Sequence, residues 1–165
     1  MESVIKWVVR ILGFFSIIFF LGIIIFVSLQ ILSRFLPFSY VWTEELIRYC
    51  FLFAISFAAP IALLKNEYIN VDLIIGRIKG NIKRFYEIGI YFLILILSLV
   101  MVVEGYNFVL LGRTQNSATM PIKMSLIHAS IFIMALFLSI FCLVLIWYLI
   151  INKKNSYDIN GGEER

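Results

Sequence analysis

Residues 41–64 read VWTEELIRYCFLFAISFAAPIALL, two carboxylates and a guanidinium at the lip of a long apolar run. Twenty residues of α-helix cross the ~30 Å hydrocarbon layer of a bilayer, and the run from Thr43 to Leu64 is long enough to do so. Three more runs of this kind lie at about 11–32, 86–111 and 121–151. In lipid every backbone N–H and C=O must be paired within the segment, so these runs predict helices rather than isolated strands. The expected fold class is an all-α integral membrane protein with four transmembrane helices in one domain, followed by a polar tail at 152–165.

Composition supports that reading. Of 165 residues, 62% are hydrophobic and 15% charged, and the mean hydropathy is +1.01, too apolar for a water-soluble domain of this size. The first run follows Lys6 and Arg10 but is too long for a signal peptide. Its exit, LSRFLPFSY, has no small-x-small cleavage pattern, so it is expected to be retained.

Charge sets the orientation. Ten of the fourteen Lys and Arg residues lie in the N-terminal tail, the 65–84 loop and the C-terminal tail, whereas Arg34, Arg48, Arg113 and Lys123 lie on the other side. By the positive-inside rule both termini are cytoplasmic. The net charge of +4 is therefore a topology signal, and no nucleic-acid partner is expected. Between the second and third spans, NVDLIIGRIKGNIKRFYE places Val71, Ile74, Ile75 and Ile78 at helical spacing opposite Arg77, Lys79, Lys83 and Arg84. Two readings stand: an amphipathic helix on anionic lipid head groups, or an irregular basic loop, which Gly76 and Gly80 favour.

At the start of the second span, Thr43 is expected to cap the helix, and Glu44 and Glu45 sit at the positive end of its dipole. Tyr40 and Trp42 suit an interfacial aromatic belt. Glu44 and Arg48 are i,i+4 neighbours. Arg48, Glu104 and His128 fall at similar depths below the outer interface, which suggests a polar cluster within the bundle or against a partner; the alternative is that Arg48 snorkels outward and His128 bonds a neighbouring helix. Glu87 has Lys83 and Arg84 near enough to neutralise it. Ala54 and Ala58, with Ser56 and Ala59 beside them, offer a close-packing surface, and Pro60 is expected to kink the helix. Pro121 is expected at the first position of the fourth helix.

The chemistry of catalysis is missing from the pattern. One histidine cannot supply bis-histidine haem ligation, Cys50 and Cys142 are far apart without a CxxC, and no cluster has metal-ligand spacing. Phosphate loops and nucleophile elbows are absent. No enzyme activity, metal or cofactor is expected.

The stretch WTEELIRYCFLFAISFAAPIALLKNEYINVDLI resembles the small membrane subunit of tripartite ATP-independent periplasmic (TRAP) transporters, the DctQ-like family. In the match, Trp42, Glu44, Glu45 and Arg48 take the opening positions and Lys65, Ile69, Val71 and Asp72 the closing ones. SATMPIKM resembles the lead-in to the family's last span and places Pro121 there. Tyr68 stands where the family often has histidine, and the pair Ala58, Ala59 where it often has glycine. The resemblance implies a multi-pass protein of the bacterial inner membrane that acts as scaffold for a large transport subunit. That subunit would take up an organic acid delivered by a periplasmic binding protein, driven by an ion gradient, typically of Na⁺. Composition and spacing alone also admit a self-contained homo-oligomeric transporter, or an accessory subunit of another membrane complex.

Overall fold

The computed structural model describes residues 2–35, 41–65 and 81–151. Four α-helices account for most of them: α1 (Glu2–Ser33), α2 (Val41–Leu64), α3 (Asn81–Leu111) and α4 (Met124–Ile151). Each is long and apolar enough to cross a membrane, so the protein is an all-α, four-span membrane protein. The only β geometry among the described residues is one antiparallel bridge, Asn116 to Lys123, in the α3–α4 connection.

The helices pack as neighbours in the order α1, α2, α4, α3. All four contribute to one apolar cluster that includes Leu12 of α1, Leu63 and Leu64 of α2, Tyr91 of α3 and Cys142 and Leu145 of α4. This cluster lies toward the end that the charge distribution assigns to the cytoplasm. Toward the outer end the packing is dominated by two helix pairs.

The α1–α2 pair is an aromatic ladder. Phe19 stacks on Phe53 at 5.1 Å and on Phe57 at 5.9 Å, and Phe26 meets Trp42 edge-on at 6.5 Å. Offset and edge-on rings of this kind contribute beyond their buried area. Between the rings the helices approach closely: Ser16 Oγ donates to the Ala54 carbonyl at 3.2 Å, and a Cβ on Gly22 would lie 3.5 Å from Cys50 Sγ. Ala54 is thus buried at this contact, but Ala58 faces outward and Ala59 is half-buried. The expected Ala54-to-Ala58 stripe does not form one contact face, because α1 lies over Ala54 and Phe57 instead. Pro60 is fully buried, and α2 remains helical through it.

The α3–α4 pair meets along a seam with a seven-residue period, in which small residues occupy most of the positions. On α3 the buried residues Tyr91, Ser98 and Gly105 form one stripe, continued by buried Gly112 in the 3-10 turn that follows, and on α4 Ser125, Phe132 and Ser139 form its antiparallel complement. A seven-residue period keeps a seam facing its partner over several turns, and small side chains let backbones meet where lipid offers no hydrophobic driving force. Ser139 Oγ donates to Ser98 Oγ at 3.0 Å and also reaches the Ala135 carbonyl. A Cβ on Gly105 would lie 3.3 Å from Phe132 Cα, and one on Gly112 only 2.6 Å from Ser125 N and 2.7 Å from His128 Nδ1.

Several boundaries differ from the sequence expectation. α2 starts at Val41, so Thr43 sits inside the first turn, buried, and is not the cap. Pro121 lies in a bend three residues before α4 rather than at its first position. Its segment is held in a tight connector, with Ser117 N donating to the Ile122 carbonyl at 2.9 Å and Met124 N to the Gln115 carbonyl at 3.0 Å. Lys65 ends α2 in an exposed turn, its N–H bonded to the Ile61 carbonyl at 3.0 Å. Ile69, Val71 and Asp72, most of the segment read as an interfacial helix or basic loop, and the 152–165 tail lie outside the described residues, as do the side chains of Lys83 and Arg84. Glu87 itself is buried.

Replacing Gly112 by alanine is expected to destabilise the protein by about 2–3 kcal/mol, since backbone atoms of Ser125 occupy the space that the methyl group needs. Gly89 has nothing within 4 Å of the same position, so Gly89→Ala is expected to be neutral or to stabilise by up to about 1 kcal/mol. Thermal melting of both variants in one detergent checks the pair.

Candidate functional site: a carboxylate clamp at the outer rim

The outer end of α2 carries the residues singled out by the sequence, and the structure divides them into two sets. Glu44 and Arg48 form an i,i+4 ion pair with side chains 59% and 72% exposed. Pairs this open are worth a few tenths of a kcal/mol. Arg48 is thereby accounted for at the rim, with no partner deeper in the bundle among the described residues.

Glu45 behaves differently. Its Oε1 accepts from the Tyr49 hydroxyl and from Ser117 Oγ at 2.6 Å. Its Oε2 accepts from the Thr119 backbone N–H at 3.1 Å and from the Thr119 hydroxyl. One carboxylate therefore takes four donors, using acceptor capacity that only an ionised acid has in full. Two of the partners belong to the α3–α4 connector, more than seventy residues away in sequence. Ser117 Oγ in turn accepts from Met120 N at 3.2 Å, so the carboxylate also fixes the turn that presents its own donors. Tyr49 lies against Met124, at the first turn of α4, with its hydroxyl 3.4 Å from the sulfur.

The local sequence explains why this works. Glu45 and Tyr49 are one helical turn apart on the same face of α2. The Asn116–Lys123 bridge folds the connector back so that Ser117 and Thr119 converge on one point. Beside the clamp, Glu44, Glu45, Arg48, Ala118 and Thr119 line a cleft of about 240 Å³ that opens to the outside.

His128 and Glu104 do not join Arg48. His128 is buried; its Nδ1 lies 2.9 Å from the Phe108 carbonyl, and because a carbonyl only accepts, Nδ1 carries the proton. The ring also stacks on Phe108 with centroids 3.6 Å apart. It is a helix-to-helix tie beside Gly112. Glu104 lies on the exposed surface of α3, where it makes no hydrogen bond or ion pair among the described residues. The expected cluster is therefore not formed within the chain: Gly105 turns toward α4, which directs its neighbour Glu104 away from the bundle.

Sequence reasoning reached Glu45 as a helix-dipole anion but missed Tyr49, Ser117 and Thr119. The i,i+4 spacing of Glu45 and Tyr49 was available in the sequence. Nothing in it signalled that a turn seventy residues later would supply the remaining donors. Among the described residues no group of three or more His, Cys, Asp or Glu side chains is placed to hold a metal ion.

Glu45→Ala is expected to lower the melting temperature in detergent by at least about 3 °C, because it strands donors from two elements at once. Glu44→Ala and Arg48→Ala are expected to shift it by less than about 1 °C, as for exposed pairs. A melting comparison of the three single variants checks the division between clamp and rim.

Comparison with known proteins bears on the whole membrane domain. No similar curated protein was found. The family described as tripartite ATP-independent periplasmic transporters, DctQ component, matches residues 23–152, a range that takes in the Glu45 clamp, the α3–α4 seam and the outer connector. This is a family of transporter subunits rather than of enzymes, and its match spans most of the chain; the protein thus belongs to the DctQ family, as the small membrane component of a TRAP transporter.

Proposed function

We propose that this chain works as the scaffold subunit of a TRAP transporter in the bacterial inner membrane. It holds the large transport subunit in the bilayer while that subunit takes up an organic acid, delivered by a periplasmic binding protein and driven by an ion gradient, Na⁺ in the typical case. Both termini face the cytoplasm, in line with the distribution of Lys and Arg. The Glu45 rim then faces the periplasm and stands where a delivered binding protein arrives.

The observation that carries this reading, beyond family membership, is how the bundle interior is filled. Its apolar cluster holds Leu63, Tyr91, Cys142 and Leu145 at near-zero exposure, and the polar groups between α3 and α4, Ser98, Ser139 and His128, bond to one another or to backbone carbonyls. The intramembrane acid Glu104 points outward. A support role suits such an interior, since conduction needs polar groups that converge on a path through the protein. The cleft at the outer rim is a surface feature.

Affinity purification from native membranes in mild detergent tests the assignment. A much larger polytopic protein is expected in a one-to-one ratio, and uptake in proteoliposomes is expected to need both proteins, a soluble binding protein and an ion gradient. Recovery of the chain as a lone homo-oligomer that transports by itself would refute the scaffold role. Orientation is checked separately: Ala118→Cys, at an exposed position of the outer connector, is expected to react with an impermeant thiol reagent added from the periplasmic side. Native Cys50 and Cys142 are buried and give little background.

A further inference from the structure

α3 carries two seven-residue stripes, and only one is occupied by other described residues. The stripe of Tyr91, Ser98, Gly105 and Gly112 meets α4. On the opposite side Leu93, Leu97, Val100, Glu104, Asn107 and Leu111 alternate at spacings of four and three, the a/d pattern of a helix seam. All six are exposed, the four apolar ones more than half. A lipid-facing helix needs no such regularity, and it does not need a carboxylate on it.

Glu104 lies within the hydrocarbon layer. The Ser98–Ser139 bond sits near the middle of α4, and Glu104 is six residues further toward the outer end, about 9 Å at the helical rise, inside the ~15 Å half-thickness of the apolar layer. Glu104 has no hydrogen bond or ion pair among the described residues. Acids at such depths face protein or a polar cavity and have a partner.

The geometry points to the Leu93–Leu111 face of α3 as the docking seam for a transmembrane helix of the large transport subunit, one that presents an Arg or Lys side chain to Glu104, with Asn107 one turn away setting the register. The inference rests on the scaffold reading and adds to it the face and the contact. Charge selects this occupant over the others. Two copies of this chain in one membrane share their orientation, and a two-fold contact along this seam would set Glu104 opposite Glu104 at equal depth, an uncompensated like-charge pair. Lipid tails would leave the carboxylate without a donor. A foreign helix with a cation at that level satisfies both the charge and the apolar stripe, and a polar position within an a/d seam is a known means of fixing register.

The test uses the full chain in native membranes. A photoreactive benzophenone side chain is placed at Leu97 or Val100 on the seam, and at Ile25 of α1 or Leu143 of α4 as exposed controls. The seam positions are expected to crosslink to the large subunit and the controls are not. In parallel, Glu104→Leu is expected to reduce co-purified large subunit roughly tenfold or more, as for the loss of one partner of a desolvated ion pair. The melting temperature of the isolated variant is expected to match that of the unaltered chain, because the side chain touches no described partner. Crosslinks between two copies, crosslinks to the large subunit from the control positions only, an absence of protein adducts, or undiminished recovery with Glu104→Leu would each overturn the seam. If the unaltered chain recovers no large subunit, the scaffold reading fails and the seam with it; if recovery is normal while the seam results are negative, only the seam fails.

Discussion

The approach of α3 to α4 is limited by backbone rather than by side chains. At Gly105 and Gly112 no Cβ stands between the helices, and at Ser98 the contact is a hydroxyl pair. That single constraint orients much else. It turns α3 so that Gly105 faces inward and Glu104 outward. It places His128 against the Phe108 carbonyl, and it brings the end of α3 and the start of α4 close enough for a connector of about a dozen residues to fold into a bridged turn. Ser117 and Thr119 reach Glu45 only because the connector leaves this junction in that form.

The two outer-end devices are complementary in chemistry. Within the hydrocarbon layer the pairs α1–α2 and α3–α4 are held by rings and by small residues, contacts that need no water. At the rim, where water competes, the link between the two halves is a carboxylate that collects four donors. Charge-assisted bonds of this kind retain strength near water better than neutral ones do. The bundle is thus joined by apolar contact at its inner end and by the Glu45 clamp at its outer end. A frame fastened at both ends fits the scaffold role proposed above.

Family membership and packing meet at this point. A scaffold for a larger membrane protein needs a firm interior and at least one surface shaped for another helix. Here the interior is filled by Tyr91, Leu63, Cys142 and their neighbours, while α3 keeps a regular, mostly apolar face with an acid directed outward. By the positive-inside rule, the Lys and Arg distribution assigns the Glu45 rim to the side opposite the cytoplasm.

Sequence alone determined the class and the number of spans, because both depend on a one-dimensional quantity, the length of apolar runs against bilayer thickness. It also identified the second-span stretch that resembles the DctQ family. The seven-residue recurrence of Tyr91, Ser98, Gly105 and Gly112 was equally present in the sequence, yet a chain apolar on all sides has no polar face to show which stripe turns inward. That choice was made by α4. Tertiary structure alone decided that Arg48 stops at Glu44, that Ala58 faces away from α1, that Pro121 precedes rather than begins its helix, and that Glu45 gathers Ser117 and Thr119 across the bundle. Each depends on where a second element arrives, and spacing along one element carries no information about that.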